Sequence, residues 1–201
     1  TVSGYLKSDE GYAISSSMRI TDDCCSYSGS SDANGLYSIS NVKEGEDLTI
    51  STYADSANVR RSPVDAVLVM YGAWGQNSQT FDLSANTTLS DIVIDLIYIE
   101  GVISDEAGNP VEGAYVEARG GSGYRGTTTN ASGRYAIALY ADQASTVLKI
   151  NPNNANLSFK QIDLPLGGSN VALDITLDSI SRYTVSGYLK SDEGYAISSS
   201  M

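Results

Sequence analysis

Cys24 and Cys25 are the only cysteines in the chain, they are adjacent, and there is no histidine. Neighbouring Cα atoms stand about 3.8 Å apart, whereas an ordinary disulfide spans roughly 4.4–6.8 Å. The pair therefore forms either a strained vicinal disulfide or two thiols that stay free or bond to another unit. Without His or further Cys it lacks a zinc-type ligand set, so no metal site is expected. The absence of histidine also removes the commonest general base and the usual nucleophile–base–orienter triads. Acidic pairs such as Asp22-Asp23 and Glu46-Asp47 fall in turn-like stretches. A glycosidase instead needs two carboxylates set across a cleft. There is no Gly-x-Ser-x-Gly elbow and no phosphate loop. No catalytic residues, no cofactor and no enzymatic activity are expected. The sequons Asn86-Thr87-Thr88, Asn130-Ala131-Ser132 and Asn156-Leu157-Ser158 offer Asn86, Asn130 and Asn156 as acceptors for covalent glycans.

The elements that carry these residues are organised by repetition. Residues Thr1 to Met18 return letter for letter as Thr184 to Met201, a period of 183 residues. Long-period self-similarity is the mark of arrays, stalks and filaments. The chain reads as one unit of a longer tandem array plus the opening of the next. In that reading residues 184–201 hold the first strand of the following repeat, with Val185, Gly187 and Leu189 facing inward and Tyr188 outward. A weaker echo lies inside the repeat. Asp32-Ala33-Asn34-Gly35-Leu36-Tyr37 is matched by Asn130-Ala131-Ser132-Gly133-Arg134-Tyr135, and Val2-Ser3-Gly4 by Ile99-Glu100-Gly101. Two related domains are expected, residues 1–98 and 99–183.

Within both, short runs alternate apolar and polar residues: Tyr37/Ile39, Leu48/Ile50, Ile92/Ile94/Leu96, Tyr135/Ile137/Leu139 and Leu173/Ile175/Leu177. A period of two buries one face of a strand and wets the other. Turn signals such as Asn34-Gly35 and Gly108-Asn109-Pro110 separate the runs. The expected fold is all-β, two tandem β-sandwiches. One exception is a short helix near residues 63–71, signalled by Ser62 as N-cap, Pro63 at the first helical position and Gly72 as C-cap. Trp74, in the loop that follows, is expected to cover the open end of the first sandwich. Between Ile92 and Ile103 the chain reads IVIDLIYIEGVI, and residues 174–189 are similarly free of a Gly/Ser spacer. Flexible linkers need such spacers, so stiff junctions are expected.

A net charge of −12 opposes binding to nucleic acid or anionic lipid. No apolar run approaches the roughly 18 residues of a membrane span, so no direct membrane insertion is expected. Tyr outnumbers Phe and Trp combined by 14 to 3, which suits exposed antiparallel sheet.

From Gly101-Val102-Ile103 through Gly108-Asn109-Pro110-Val111, Gly113-Ala114-Tyr115-Val116 and Gly133-x-Tyr135, the second domain resembles the carboxypeptidase-regulatory-like domains. These are prealbumin-type, Ig-like sandwiches close to the Cna B-type modules of surface adhesins. The first domain keeps Gly4, Asn34-Gly35-x-Tyr37 and Asn41-Val42-x-Glu44-Gly45 but lacks the Gly-x-Pro turn. The resemblance implies seven-stranded domains acting as accessories or stalks, and adhesin relatives add a Lys–Asn cross-link for which Lys7 is the one candidate here. By itself Lys7 reads as a solvated strand end. The function expected is a structural repeat of an extracellular filament, pilus-like fibre or cell-surface stalk, joined to itself by continuous chain, strand complementation or both. The rival is a carbohydrate-binding or adhesive module of a large secreted protein. A coplanar row of exposed aromatic rings would mark that rival, and aromatics dispersed or buried at junctions would mark the fibre.

Overall fold

The computed structural model describes residues 1–62, 65–68, 78–120, 123–184, 186–188 and 191–195. The first half contains β1 (Val2–Ser8), β2 (Ala13–Thr21), β3 (Ser26–Ser30), β4 (Leu36–Ile39) and β5 (Gly45–Ser62). It continues with β6 (Asp65–Leu68), β7 (Ser78–Leu83), β8 (Thr87–Thr88) and β9 (Ile92–Ile94). The second half begins with β10 (Leu96–Asp105), β11 (Tyr115–Gly120), β12 (Gly123–Thr128) and β13 (Arg134–Tyr140). It ends with β14 (Ser145–Asn151), β15 (Lys160–Pro165), β16 (Val171–Ala172) and β17 (Ile175–Leu177). Among the described residues every regular element is a strand.

The short helix expected near 63–71 is corrected by this structure. Its described part, residues 65–68, is strand β6, paired antiparallel with β5 through Asn58↔Leu68, Val59↔Val67 and Arg60↔Ala66. A helix this short is marginal in water even with good caps. The long edge of β5 instead offers one side of its backbone a row of ladder partners. Trp74 lies outside the described residues.

Both halves repeat one wiring scheme. β1 pairs antiparallel with β4 (Val2↔Ile39, Tyr5↔Leu36) and parallel with β8 and β9 (Val2↔Thr87, Leu6↔Ile92). β10 does the same with β13 (Ile99↔Ile137), β16 (Ile99↔Val171) and β17 (Ile103↔Ile175). Its facing sheet runs β12-β11-β14-β15. In the first half β1 also joins β2, so β4-β1-β2-β5-β6 forms one continuous ladder.

Two apolar cores result, and the alternating residues read from the sequence supply them. Leu6, Ile14, Ile20, Tyr37, Leu48 and Ile50 fill the first. Ile103, Val116, Ile137, Leu148, Ile150 and Leu177 fill the second. The β10–β13 ribbon belongs to both. Leu96, Tyr98, Ala138 and Tyr140 face the first core, while Ile97, Ile99, Ile137 and Leu139 face the second. Residues 96–99 are thus buried consecutively, as strands covered on both faces are.

A close approach fixes one residue type in each half. A Cβ on Gly4 would collide with the Tyr37 hydroxyl oxygen, and one on Gly101 with the Leu173 carbonyl oxygen. Only glycine lets β1 and β10 lie this near their neighbours.

Candidate functional site

The junction between the halves is the most elaborated region of the described chain. β9 ends at Ile94 and β10 begins at Leu96, with Asp95 alone between them. The Asp9 amide donates to the Ile94 carbonyl at 3.0 Å. The Leu96 amide donates to Asp9 Oδ1 at 3.2 Å, and the Asp95 carbonyl receives the Ala141 amide at 3.0 Å. Farther along, the Tyr98 amide donates to Asn170 Oδ1 at 2.9 Å, and Asn170 Nδ2 donates to Glu10 at 3.1 Å. A turn acid of the first half thereby grips the strand entering the second half, and the apolar faces of Leu96, Tyr98 and Tyr140 close the seam.

An equivalent clasp follows β17. Glu106 stands where Asp9 stands in the repeat pattern, and its Oε2 accepts the Ser179 amide at 3.1 Å. That hydrogen bond is the main reason its carboxyl is held below the usual range. Asp105 is lowered too, chiefly by the side-chain amide of Asn109, which donates to Asp105 Oδ2 at 3.0 Å. The two exits then diverge. After Leu177 the described residues 178–184 are exposed and form no strand beyond the isolated Leu157↔Ser179 bridge. The direct strand-to-strand run expected over 174–189 is not seen there. The clasp puts Ser179 in the place of Leu96, and counted back from the recurring Val-Ser-Gly at residue 185 the positions of Leu96 and Tyr98 fall to Arg182 and Thr184; all three are polar residues that cannot close a seam by burial.

The sequence-nominated residues lie apart from one another. Cys24 and Cys25 sit exposed in the turn between β2 and β3, unbonded, with sulfurs 2.9 Å apart. Asp22 Oδ1 accepts both of their amides, at 2.9 and 2.6 Å, and these bonds, the one from Cys24 first, lower the Asp22 carboxyl. The Cys24 thiol is pushed up to about 11, first by its hydrogen bond with Cys25 and then by Asp22. Donor atoms of Asp22, Cys24 and Cys25 fall within 4.8 Å of one another. A thiol held protonated at neutral pH is a poor nucleophile and a poor ligand, so this turn is a weak candidate for either chemistry.

Asn86, Asn130 and Asn156 are all exposed, on three separate turns. Asn86 Oδ1 takes the Thr1 amino group at 2.7 Å. Asn130 Oδ1 takes the amides of Ser132 and Arg134, each at 3.0 Å. The Asn156 carbonyl takes the Ile180 amide at 2.7 Å. Gly187 lies in exposed chain with no neighbour within 4 Å of where a Cβ would point, and Val185 and Leu189 lie outside the described residues. Lys7 forms a partly exposed ion pair with Asp91 at 2.7 Å. Among the described residues no helix is long and apolar enough to cross a membrane.

Sequence reading missed the clasp carboxylates Asp9 and Glu106 and the amide Asn170, and it named Asn86 only as a glycan acceptor, not as the partner of the Thr1 amino group. Aligning the halves by their internal echo brings Asp9 onto Glu106, so a signal was present, but turn acids are ordinarily just solvated.

Residues 98–178 match the family model of the carboxypeptidase regulatory-like domain. No curated protein matches the sequence. Among solved structures, the shaft pilin SpaA of Lactobacillus rhamnosus GG shares 11% identity over 91% of this chain and 98% of its own, with a TM-score of 0.43. GBS52, described as the minor pilin of the Gram-positive pathogen Streptococcus agalactiae, shares 10% identity over 92% of this chain and 98% of its own, with a TM-score of 0.35. The Bacillus anthracis TIE protein shares 10% identity over 98% of this chain, also at a TM-score of 0.35, and this chain spans 40% of its length.

Proposed function

We propose that this chain, whose residues 98–178 match the carboxypeptidase regulatory-like domain model, is a structural repeat unit of an extracellular filament, pilus-like fibre or cell-surface stalk. Two sandwich domains, residues 1–98 and 99–183, make up the unit, and residues 184–201 open the next. The observation that carries this reading is the β10–β13 ribbon, buried on one face by the first core and on the other by the second. A tensile load along the chain enters the second domain through a strand that cannot leave without opening both cores. Units are joined by continuous chain, by strand complementation, or by both. In complementation an edge strand adds main-chain hydrogen bonds and fills alternate side-chain pockets. The unit has no catalytic task; its partners are further copies of itself, and Asn86, Asn130 and Asn156 carry glycans where the host supplies them.

Aromatic placement favours this reading over a sugar-binding module. Tyr37, Tyr98, Tyr135 and Tyr140 are buried, two of them at the junction. Among the described residues the exposed rings, Tyr5, Phe159, Tyr183, Tyr188 and Tyr195, fall on separate segments of the chain.

Electron microscopy of the native material, paired with its mass under denaturing and reducing conditions, tests the proposal. Filaments with masses far above one repeat are expected for a covalent array. Filaments that fall to single-repeat mass would mean strand exchange between separate chains. Dispersed particles without an axial repeat would overturn the fibre and favour the accessory module.

A further inference from the structure

The second half contains a precedent for how a unit is seated on what precedes it. The Tyr98 amide is held by Asn170 Oδ1, just as the Thr1 amino group is held by Asn86 Oδ1. Immediately before Tyr98 stands Ile97, 1% exposed, in the second core with Leu166. Leu166 and Leu83 are counterparts, each buried shortly before the short strand that pairs parallel with β10 or β1. The place that Ile97 fills in the second half is open in the first. Beside Thr1 lies a cavity of about 290 Å³ lined by Val42, Leu83, Glu44 and Asn86.

The sequence names a residue for that position. Where Thr-Val-Ser-Gly recurs at residue 184, it is preceded by Tyr183. Tyr183 is 87% exposed here, one of the least covered large side chains described. We infer that the cavity beside Thr1 is the seat of Tyr183 from a preceding copy of this unit, the counterpart of Ile97; the inference rests on the tandem-repeat reading above. The pocket is open and mostly polar, with Val42 and Leu83 as its apolar contacts for the ring and Thr1, Glu44, Ser84 and Asn86 available to its edge and hydroxyl. Burying an aromatic ring in this way removes a large apolar surface from water, and it gives the polar exit after β17 the apolar anchor that Arg182 and Thr184 do not.

The test is a two-unit protein, residues 1–183 joined directly to residues 1–201, with and without Tyr183→Ala in the linking copy. Thermal unfolding and hydrogen exchange at residues 83–86 of the second unit are the readouts, and the same substitution in the 201-residue chain is the control. The expected result is a loss of several degrees in melting temperature and at least a roughly tenfold faster local exchange in the two-unit variant. The single chain is expected to be unchanged, and Tyr183→Phe, which keeps the ring, is expected to retain both properties. Equal exchange with and without the ring, or an equal loss in the single chain, would overturn the seat. Native filaments whose segment 83–86 stays unprotected would overturn the seat alone. Protection in the two-unit protein without native filaments would overturn the fibre alone.

Discussion

The same eighteen residues occur twice in this molecule, and where both copies are described their surroundings differ. In the first copy the Ser8 amide donates to the Tyr12 carbonyl at 2.8 Å, and Gly11 turns back on Ser8 at 2.9 Å with φ 86°. In the second copy Ser191 donates to Tyr195 at 2.8 Å, and Gly194 turns back on Ser191 at 2.9 Å with φ 87°. The turn is written into its own residues, since Gly alone takes that φ without strain. The flanking strand is not. Residues 2–8 form β1, whereas the described residues of its counterpart, 186–188 and 191, form no strand. Tyr5 is 40% exposed and its twin Tyr188 is 94% exposed. What separates the copies is a seat: β4 on one edge of β1, β8 and β9 on the other, and Tyr37 across its face.

The contrast can be broken by removing the seat or sharpened by changing one copy at a time. Leu6, wholly buried in β1, is expected to cost about 2–5 kcal/mol when changed to Ala. Chemical denaturation would show this as a lower midpoint with the slope retained. Gly4→Ala forces a methyl group against the Tyr37 hydroxyl and is expected to cost about 1–3 kcal/mol. Gly187→Ala, the same change in the unseated copy, is expected to leave the 201-residue chain unaltered. Equal effects from the two glycine changes would erase the contrast.

Smaller effects separate the two versions of the seat. The Tyr135 hydroxyl donates to the Leu173 carbonyl at 2.8 Å, so Tyr135→Phe is expected to cost about 1 kcal/mol. The Tyr37 hydroxyl is buried without a partner, so Tyr37→Phe is expected to be neutral or stabilising. Calorimetry on the two variants reads the difference directly. The smallest effect concerns the clasp. Glu106 and Asp105 have lowered folded-state carboxyls, so their contribution is present above the ordinary carboxylate range and is lost as pH falls below it. Melting temperature is expected to drop on acidification below about pH 4, with a shallower drop in Glu106→Gln.

The strands were legible because their residues alternate. Tyr37/Ile39, Leu48/Ile50 and Tyr135/Ile137/Leu139 are buried as that period requires. The run from Ile92 to Ile103 was legible as a junction without a linker. Its double burial was not, because alternation describes one wet face and β10 has none over residues 96–99. The helix signal at Ser62-Pro63 was locally sound but lost to pairing with β5, a partner that local sequence does not reveal. For the same reason Asp22-Asp23 could be placed in a turn, while the bonds by which Asp22 takes the amides of both Cys24 and Cys25 could not.

The most direct test of the account is hydrogen exchange over residues 184–195, measured in the 201-residue chain and again where a complete second unit follows residue 183. The account predicts rapid exchange of the strand portion in the first case and protection comparable to β1 in the second, with the turn at residues 191–195 formed in both. Rapid exchange in both proteins would contradict it, because the repeated segment would then not be the first strand of a following unit.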